Sequence, residues 1–203
     1  MSRFTGARVK VMRAVGVELP GLSRKSTENR PERPGQHGRR PMRASDFRIQ
    51  LVEKQKLRFN YGITERQLRN VFAEARRSKS HTGDKLVELL ERRLDNFVFR
   101  AGFAPTVPAA RQLVSHGHFR VNGRKVNISS FRVRVGDVVT PREKSRSHQL
   151  LVDALKTPSL ERPEWIAFDE AKLEAKLVHL PAGDAVPFPL VVQHVVEYYA
   201  TRI

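Results

Sequence analysis

The sequence has no cysteine, few aromatic residues and no long hydrophobic run. Without cysteine, disulfides, thiol catalysis and cysteine-based zinc sites are excluded. Aromatic residues make up 7% of the chain, and no aromatic-rich sheet motif offers a platform for stacking single-stranded bases. The longest apolar run, at 190–196, is interrupted by Gln193 and His194 and is far shorter than the roughly 18 residues of a membrane helix. We therefore predict no membrane association.

Acidic residues are also scarce relative to basic ones. The chain has 38 Lys and Arg against 21 Asp and Glu, which gives a formal net charge of +17. A surplus of this size repels itself unless a polyanion neutralises it, and the usual polyanion is nucleic acid. An anionic membrane surface is the weaker alternative, because no basic amphipathic helix with an exposed aromatic face is present.

The positive charge is concentrated in two parts of the chain. Residues 1–45 carry 11 basic and 3 acidic side chains, and residues 92–152 carry 12 and 3. Residues 46–91 are nearly balanced, with 10 and 7, whereas residues 153–203 carry 5 basic and 8 acidic side chains. This partition predicts two RNA-facing segments and a terminal segment turned toward another partner.

Residues 1–45 show no sustained apolar period and contain several Pro and Gly residues. The pattern predicts an extended basic arm that becomes ordered on its partner. The candidate RNA contacts in this arm are Arg3, Arg8, Lys10, Arg13, Gln36, His37, Arg39, Arg40 and Arg43.

Two helices are predicted after the arm. The first begins at Ser45 and ends near Tyr61, before Gly62. The second follows a capping box formed by Thr64 and Gln67, and its apolar residues recur at helical spacing. Its arginines share the opposite side, which is either a phosphate-binding face or an ordinary solvated one. The candidate contacts in these helices are Lys54, Lys56, Arg58, Arg66, Arg69 and Arg76.

A single helix is predicted from Asp84 to Ala101, closed by Gly102. Arg93 falls within its apolar stripe. A buried arginine needs a partner, so Arg93 is predicted either to form an internal ion pair or to contact RNA.

The next segment combines a short helix with a hairpin. Thr106 is predicted to cap a helix that runs to His116, and Asn122-Gly123 between two short strand-like runs indicates a β-hairpin. Residues 131–140 alternate between apolar and polar, as in a strand with an arginine-bearing face. The candidate contacts here are Arg111, Gln112, Ser115, His116, Arg120, Asn122, Gly123, Arg124 and Lys125.

These patterns predict an α+β protein. The predicted domains are an extended basic arm at 1–45, a helical domain split between 46–91 and 153–203, and an inserted RNA-binding module at 92–152. The module should contain two short helices and an antiparallel sheet. The final segment is read as a helix near 152–155, irregular chain around Trp165 and Phe168, and a last helix.

Several motifs resemble a known family. Residues 93–96 (Arg-Leu-Asp-Asn), 110–117 and 121–123 are similar to a small RNA-binding module found in several kinds of RNA-binding protein. Outside the module, residues 34–38 (Pro-Gly-Gln-His-Gly), 53–58 and 61–67 resemble the bacterial or plastid type of small-ribosomal-subunit protein four, in matching order and spacing. The resemblance covers nearly the whole chain.

The resemblance implies a structural ribosomal protein that binds a junction in the 5′ domain of small-subunit rRNA and nucleates assembly of the body. It implies small-subunit proteins three and five as neighbours, mRNA near the channel through which it enters the ribosome, and a contribution to translational accuracy. The expected location is the ribosome of the cytoplasm or the plastid stroma. Members often have a cysteine zinc site in the arm, but this chain lacks cysteine, so no metal, cofactor or small-molecule substrate is expected.

Other functions fit the residues less well. A stand-alone RNA-binding protein would not need residues 34–70 or the acidic final segment. Arg93-Leu94-Asp95 resembles a catalytic tripeptide of pseudouridine synthases, but here it lies inside the binding module and no catalytic domain follows it. No phosphate-binding glycine-rich loop or nucleophile elbow is present. We therefore predict a protein that is not an enzyme.

Overall fold

The structure is a computed structural model that describes residues 4–40 and 43–202. The chain divides into two compact units, Met1–Leu86 with Val186–Ile203, and Val87–Ala185. Arg3, one of the predicted RNA contacts, lies outside the described residues.

The first unit is helical in its described part. Its helices are α1 (Arg8–Val15), α2 (Asp46–Asn60), α3 (Glu65–Arg77), α4 (Thr82–Glu91), which runs past Leu86 into the second unit, and α9 (Val192–Ala200). Leu57, Leu68 and Phe72 are fully buried or nearly so, and the Tyr199 ring of α9 lies 4.9 Å from the Phe72 ring. Burial of each such side chain contributes about 1.5–3 kcal/mol.

The second unit combines helices with one antiparallel sheet. Its helices are α5 (Leu94–Arg100), α6 (Val107–Ser115), α7 (Glu143–Arg146) and α8 (Gln149–Lys156); its strands are β1 (Phe119–Val121), β2 (Arg124–Lys125), β3 (Val138–Pro141), β4 (Ile166–Asp169) and β5 (Glu174–Leu177). The strand order is β2-β1-β3-β5-β4. The predicted α+β class is confirmed.

One face of the sheet is apolar because strand side chains alternate in direction. Phe119 and Val121 of β1 are buried while Arg120 between them is exposed. Phe119 joins Phe97, Phe103 and Leu177 in the core of the second unit. Arg120 and its cross-strand partner Lys125 of β2 are thereby left on the opposite face.

The N-terminal arm is not extended over its whole length. Arg8–Val15 form α1, which ends at Gly16 with a left-handed φ of 73°. Met12 and Leu19 are fully buried. Gly21 donates its N–H to Asn60 Oδ1 at 2.9 Å, and a Cβ at Gly21 would lie 2.6 Å from the Asn60 carbonyl oxygen. This close approach requires glycine and fixes the arm against the end of α2.

The prediction of a single helix over 84–101 is wrong, because the helix is interrupted between α4 and α5. Arg93 has extended ψ (137°). The N–H groups of Leu94 and Asp95 donate to the carbonyls of Phe131 (2.8 Å) and Ser129 (3.2 Å). Hydrogen bonds to a distant loop thus replace the helical bonds that a continuous helix would have made.

The boundaries of the two units differ from those of the predicted domains. Residues 153–185 were assigned with the split helical domain, but β4 and β5 lie in this range and β5 pairs with β3. Sheet pairing therefore places this segment in the second unit. Of the predicted strand at 131–140, only the end forms a strand, in β3.

Within residues 4–40 and 43–202, no helix has the length and apolar character needed to cross a membrane.

Candidate nucleic-acid interface

Helix α3 presents a cationic face in the first unit. Thr64 Oγ1 accepts a hydrogen bond from the Gln67 N–H and the Gln67 side chain accepts one from the Thr64 N–H, so the predicted capping box is confirmed. Leu68, Val71, Phe72 and Ala75 are buried, which turns the other side of the helix to solvent. Exposed there are Arg66, Arg69, Arg76 and Arg77. Arg66 and Arg69 form no ion pair with any other described residue.

The β1–β2 hairpin presents a second cationic group, in the second unit. Asn122 and Gly123 both have positive φ, 48° and 78°, and Arg120 is paired directly with Lys125 across the strands. The hairpin predicted from Asn-Gly is therefore confirmed. Asn122 is held in place because its Nδ2 donates to Asp137 Oδ1 (2.7 Å) and its Oδ1 accepts from the Val138 N–H (2.9 Å).

The hairpin can approach a polyanion closely. Arg120, Arg124 and Lys125 are exposed and make no ion pair within the described parts of the chain. No atom lies within 4 Å of the position that a Cβ on Gly123 would occupy. Three cations around a narrow, rigid turn are suited to contacts with backbone phosphates.

Helix α6 supplies neutral candidates beside this hairpin. Gln112 and His116 are exposed and Ser115 is half-buried. Gly117, which follows the helix with φ +74°, lies directly under the Lys125 side chain, and a Cβ there would collide with it. Lys125 and the C-terminal end of α6 are thus parts of one surface.

Arg93 and Arg111 belong to an internal network instead. Asp95 is fully buried and accepts from both arginines: Arg93 Nη2 at 3.1 Å, and Arg111 Nε and Nη2 at 2.9 and 2.5 Å. Of the two predictions for Arg93, the internal ion pair is the one that the structure shows. This network gives Asp95 a structural role, because its carboxylate neutralises two buried or half-buried guanidinium groups.

Lys54 and Lys56 of α2 are also paired internally. Lys54 Nζ donates to Glu65 Oε2 (2.8 Å), and Lys56 Nζ donates to Glu53 Oε1 (2.6 Å) and to the Pro189 carbonyl (3.2 Å). Both lysines are buried. Their predicted RNA contact is therefore not accessible in this structure.

The Glu65 carboxylate joins three helices. It accepts from Lys54 of α2 and from the hydroxyl of Tyr199 of α9 (2.8 Å). Partial burial raises the pKa of Glu65, but the hydrogen bonds from Lys54 and Tyr199 and the charges of Lys54 and Arg58 outweigh it and hold this pKa below its ordinary value. Burial and the neighbouring carboxylate raise the pKa of Tyr199. Glu65 is thus ionised, and Tyr199 is its neutral donor, at neutral pH.

The predicted contacts of the arm have mixed surroundings. Arg13 donates to the Glu32 carbonyl (2.9 Å), Arg39 pairs with the Glu32 carboxylate (3.0 Å), and Arg8 donates to the Leu22 carbonyl (3.4 Å). In α2, the predicted contact Arg58 is half-buried and stacks on the Phe59 ring. The remaining candidates are exposed: Lys10, Gln36, His37, Arg40 and Arg43.

Some exposed cations of the second unit were not among the predicted contacts: Arg134, Lys144 and Arg146. Lys144 and Arg146 lie in the four-residue α7, where no periodicity indicates a face. Arg77 is exposed on α3 together with Arg66, Arg69 and Arg76, on the arginine face predicted for this helix.

Comparison of the sequence with known protein families matches two parts of the chain. A model of the ribosomal protein S4/S9 N-terminal domain matches residues 3–91, and one of the S4 domain matches residues 92–139. The small ribosomal subunit protein uS4 of Methylobacillus flagellatus is 59% identical, with 100% of both chains covered. The chain belongs to the uS4 family. Protein uS4B of Nitrosomonas europaea is 58% identical and uS4c of Rhodomonas salina 48% identical, again over 100% of both chains.

The uS4 family consists of structural ribosomal proteins and not of enzymes. The family predicted from the motifs is therefore confirmed, and the relatives include both bacterial and plastid types. The S4 domain, an RNA-binding module, spans α5, α6 and the hairpin, which carry most of the predicted contacts of the second unit. In the described part of this uS4 chain, no cluster of three or more His, Asp or Glu side chains could hold a metal ion.

Proposed function

We propose that this uS4 protein is a structural constituent of the small ribosomal subunit that binds a helical junction in the 5′ domain of small-subunit rRNA. It does so chiefly through phosphate contacts, and this binding nucleates assembly of the body. The exposed hairpin cluster of Arg120, Arg124 and Lys125 is the observation that carries the proposal. These cations surround one rigid turn and have no carboxylate partner among the described residues.

The α3 face supports the proposal independently. Its arginines are exposed on a helix whose opposite side is packed, so the direction of the cationic face is fixed by the core. Arginine binds phosphate through two parallel hydrogen bonds, which suits a folded RNA backbone. Recognition by cationic faces on helices and a hairpin, without an aromatic platform, is directed at RNA shape and backbone.

The contact residues that we propose are those the structure leaves accessible. They are Arg66, Arg69, Arg76 and Arg77 of α3; Gln112 and His116 of α6; Arg120, Asn122, Gly123, Arg124 and Lys125 of the hairpin; and Lys10, Gln36, His37, Arg40 and Arg43 of the arm. Ser115, also predicted as a contact, is not among them because its hydroxyl oxygen is buried. Arg111 is unsuitable for a binding test because its removal would also leave part of the charge of Asp95 unpaired.

Binding of the full chain to a 5′-domain rRNA fragment, measured at several KCl concentrations, tests this proposal. The variant Arg120→Gln/Arg124→Gln is expected to bind about tenfold more weakly and to lower the salt slope by about 2, since each phosphate contact releases about one counterion. Lys156→Gln is the control, because Lys156 is also exposed but lies on α8, outside the proposed contacts. Equal affinities and slopes for both variants would contradict the proposal.

We further propose contacts with small-subunit proteins three and five and a position near the incoming mRNA, where the protein contributes to translational accuracy. The acidic excess of residues 153–203 supports a protein partner here, because ribosomal proteins are typically basic and an acidic surface complements them. Cross-linking of assembled small subunits followed by mass spectrometry tests this. Cross-links from Lys156 or Lys172 to those proteins are expected, and their absence would argue against the arrangement.

A further inference from the structure

Three histidines of the second unit form a cluster that the contacts above do not use as a group. His116 is the C-cap of α6, His118 immediately precedes β1, and His148 is the N-cap of α8. The ring centroids of His116 and His118 are 6.2 Å apart, and those of His118 and His148 are 5.2 Å apart. His116 and His148 are exposed, whereas His118 between them is half-buried.

The polar groups around His118 come from each neighbouring element. From α7, Ser145 Oγ lies 2.9 Å from His118 Nδ1, and the N-cap Arg142 donates its N–H to the His118 carbonyl at 2.8 Å. Arg142 Nη1 also lies 3.4 Å from the Gly117 carbonyl. From β2, Lys125 covers Gly117.

The charges that act on His118 are all cationic or potentially cationic. Burial, and then His148, His116 and Arg142, lower the pKa of His118. No carboxylate of a described residue is among the groups that shift this pKa. Glu143 and Lys144, which follow Arg142 in α7, are both exposed. The cluster therefore concentrates imidazoles and cations at one place without an acid to balance them.

A cluster of imidazoles and cations is suited to binding an anion. An anion placed against the rings would accept hydrogen bonds from their exposed N–H groups. It would also offset the repulsion among the protonated imidazoles and Arg142, since an opposite charge within about 4–6 Å favours the protonated imidazole. Because Lys125 links the cluster to the hairpin, an RNA backbone that contacts Lys125 also passes close to the histidines.

We infer that His116, His118 and His148, together with Arg142, form a protonation-linked phosphate site that binds a phosphodiester of the rRNA and takes up a proton when RNA binds. This inference rests on the proposed rRNA binding and adds to it a pH dependence located at one place. Neither His118 nor His148 belongs to the contact set given above.

The direction of the pH effect follows from the charges. In the free protein the pKa of His118 lies below 6.5, and a bound phosphate raises it. The added affinity is complete below the free-state pKa and is lost as the pH rises through the pKa of the complex. Binding should therefore weaken as the pH rises through the pKa of His118 in the complex.

The test uses the full chain and the 5′-domain rRNA fragment at constant ionic strength. The variant His118→Gln/His148→Gln removes two imidazoles, and glutamine can still form a hydrogen bond with Ser145. His179→Gln is the matched control, because His179 is an exposed histidine outside the cluster. The wild-type and control dissociation constants should rise about tenfold more from pH 5.5 to 8 than that of the double variant, which corresponds to about one pKa unit.

The two proposals fail in different ways. A wild-type protein that binds no rRNA at either pH contradicts the proposed function itself. A wild type that binds rRNA with the same pH dependence as the double variant leaves that function standing and overturns the histidine site.

A direct measurement covers the case in which the double variant folds poorly. Histidine ring resonances of the wild type report the pKa of His118 with and without RNA. The rRNA fragment should raise this pKa, whereas inorganic phosphate at the same ionic strength should not. An equal rise of the His118 pKa with both ligands would show that the cluster binds free phosphate and would overturn its assignment as an RNA site. An unchanged His118 pKa in the presence of RNA would overturn that assignment as well.

Discussion

Helices α2 and α3 have the same charge content but use it in opposite ways. Each contains four basic and two acidic residues. In α2, Lys54 and Lys56 are buried in ion pairs, whereas in α3 the four arginines are exposed. The number of cations in a helix therefore does not identify an RNA-facing surface.

The difference lies in the apolar residues and in the neighbours of each helix. In α3 the apolar residues follow one helical stripe, so one side is packed and the other is exposed to solvent. Helix α2 contacts both α1 and α9, and polar residues such as Glu53 and Asn60 lie within its packed surface. A helix packed on several sides has to neutralise its charges internally.

Removal of Glu53 should have the largest effect on stability. Glu53→Ala leaves Lys56 buried without its carboxylate and also removes the acceptor of the Val191 N–H (3.0 Å). The expected loss is about 3–5 kcal/mol, measured by urea unfolding at pH 7.

Two variants sharpen this test. Glu74→Ala removes an acid from the exposed side of α3 and should cost less than about 1 kcal/mol. Glu53→Gln/Lys56→Met keeps an acceptor for Val191 and removes the buried charge, so it should lose less than Glu53→Ala alone. Equal losses for Glu53→Ala and Glu74→Ala would remove the distinction between the two helices.

A smaller effect is expected at the junction of the two helices. Glu65→Gln weakens the bonds to Lys54 and Tyr199, and should cost about 1–2 kcal/mol at pH 7, because the Glu65 side chain is 39% exposed and solvent screens part of the interaction. The pKa of Glu65 is lowered by folding, so its contribution is present above about pH 4.5 and is lost as the pH falls through the folded-state pKa.

Urea unfolding of wild type and Glu65→Gln between pH 7 and 3 measures this dependence. The difference in unfolding free energy between wild type and Glu65→Gln should become smaller as the pH falls. A constant difference across this range would mean that Glu65 acts through packing and not through its charge.

The smallest change in stability is expected on the outer side of α3. Arg66→Gln/Arg69→Gln should alter the unfolding free energy by less than about 0.5 kcal/mol, because both side chains are exposed and have no ion pair among the described residues. The same variant should bind the 5′-domain rRNA fragment about tenfold more weakly, with a salt slope smaller by about 2. A marked loss of stability with unchanged RNA binding would reverse the roles assigned to α2 and α3.

Local signals in the sequence were sufficient for part of the structure. The capping box at Thr64 and the Asn122-Gly123 turn were predictable because each depends on residues within a few positions of one another. The face of α3 followed from spacing alone. For the same reason, the exposed arginines of this helix and of the hairpin were found without the structure.

Long-range partners account for what was missed. The break before α5 depends on hydrogen bonds to residues 129 and 131, and nothing in residues 92–93 signals it. The β4–β5 turn places Leu173, not glycine, at a positive φ of 57°, so no glycine marked the hairpin. The internal role of Arg111 depends on Asp95, sixteen residues away and on another helix.

The bonds between Glu65 and Tyr199 have a consequence for the order of folding during synthesis. Every residue of Val87–Ala185 leaves the ribosome making this chain before α9 does, so the second unit can close its own core while the first still lacks its last helix. Until Tyr199 arrives, Phe72 and Glu65 lack a contact that they make in the finished fold. The nascent α2 and α3 therefore lack this partner while residues 78–191 are synthesised. The β1–β2 hairpin, complete at Lys125, is available to RNA for much of this period, whereas the sheet is complete only at Leu177.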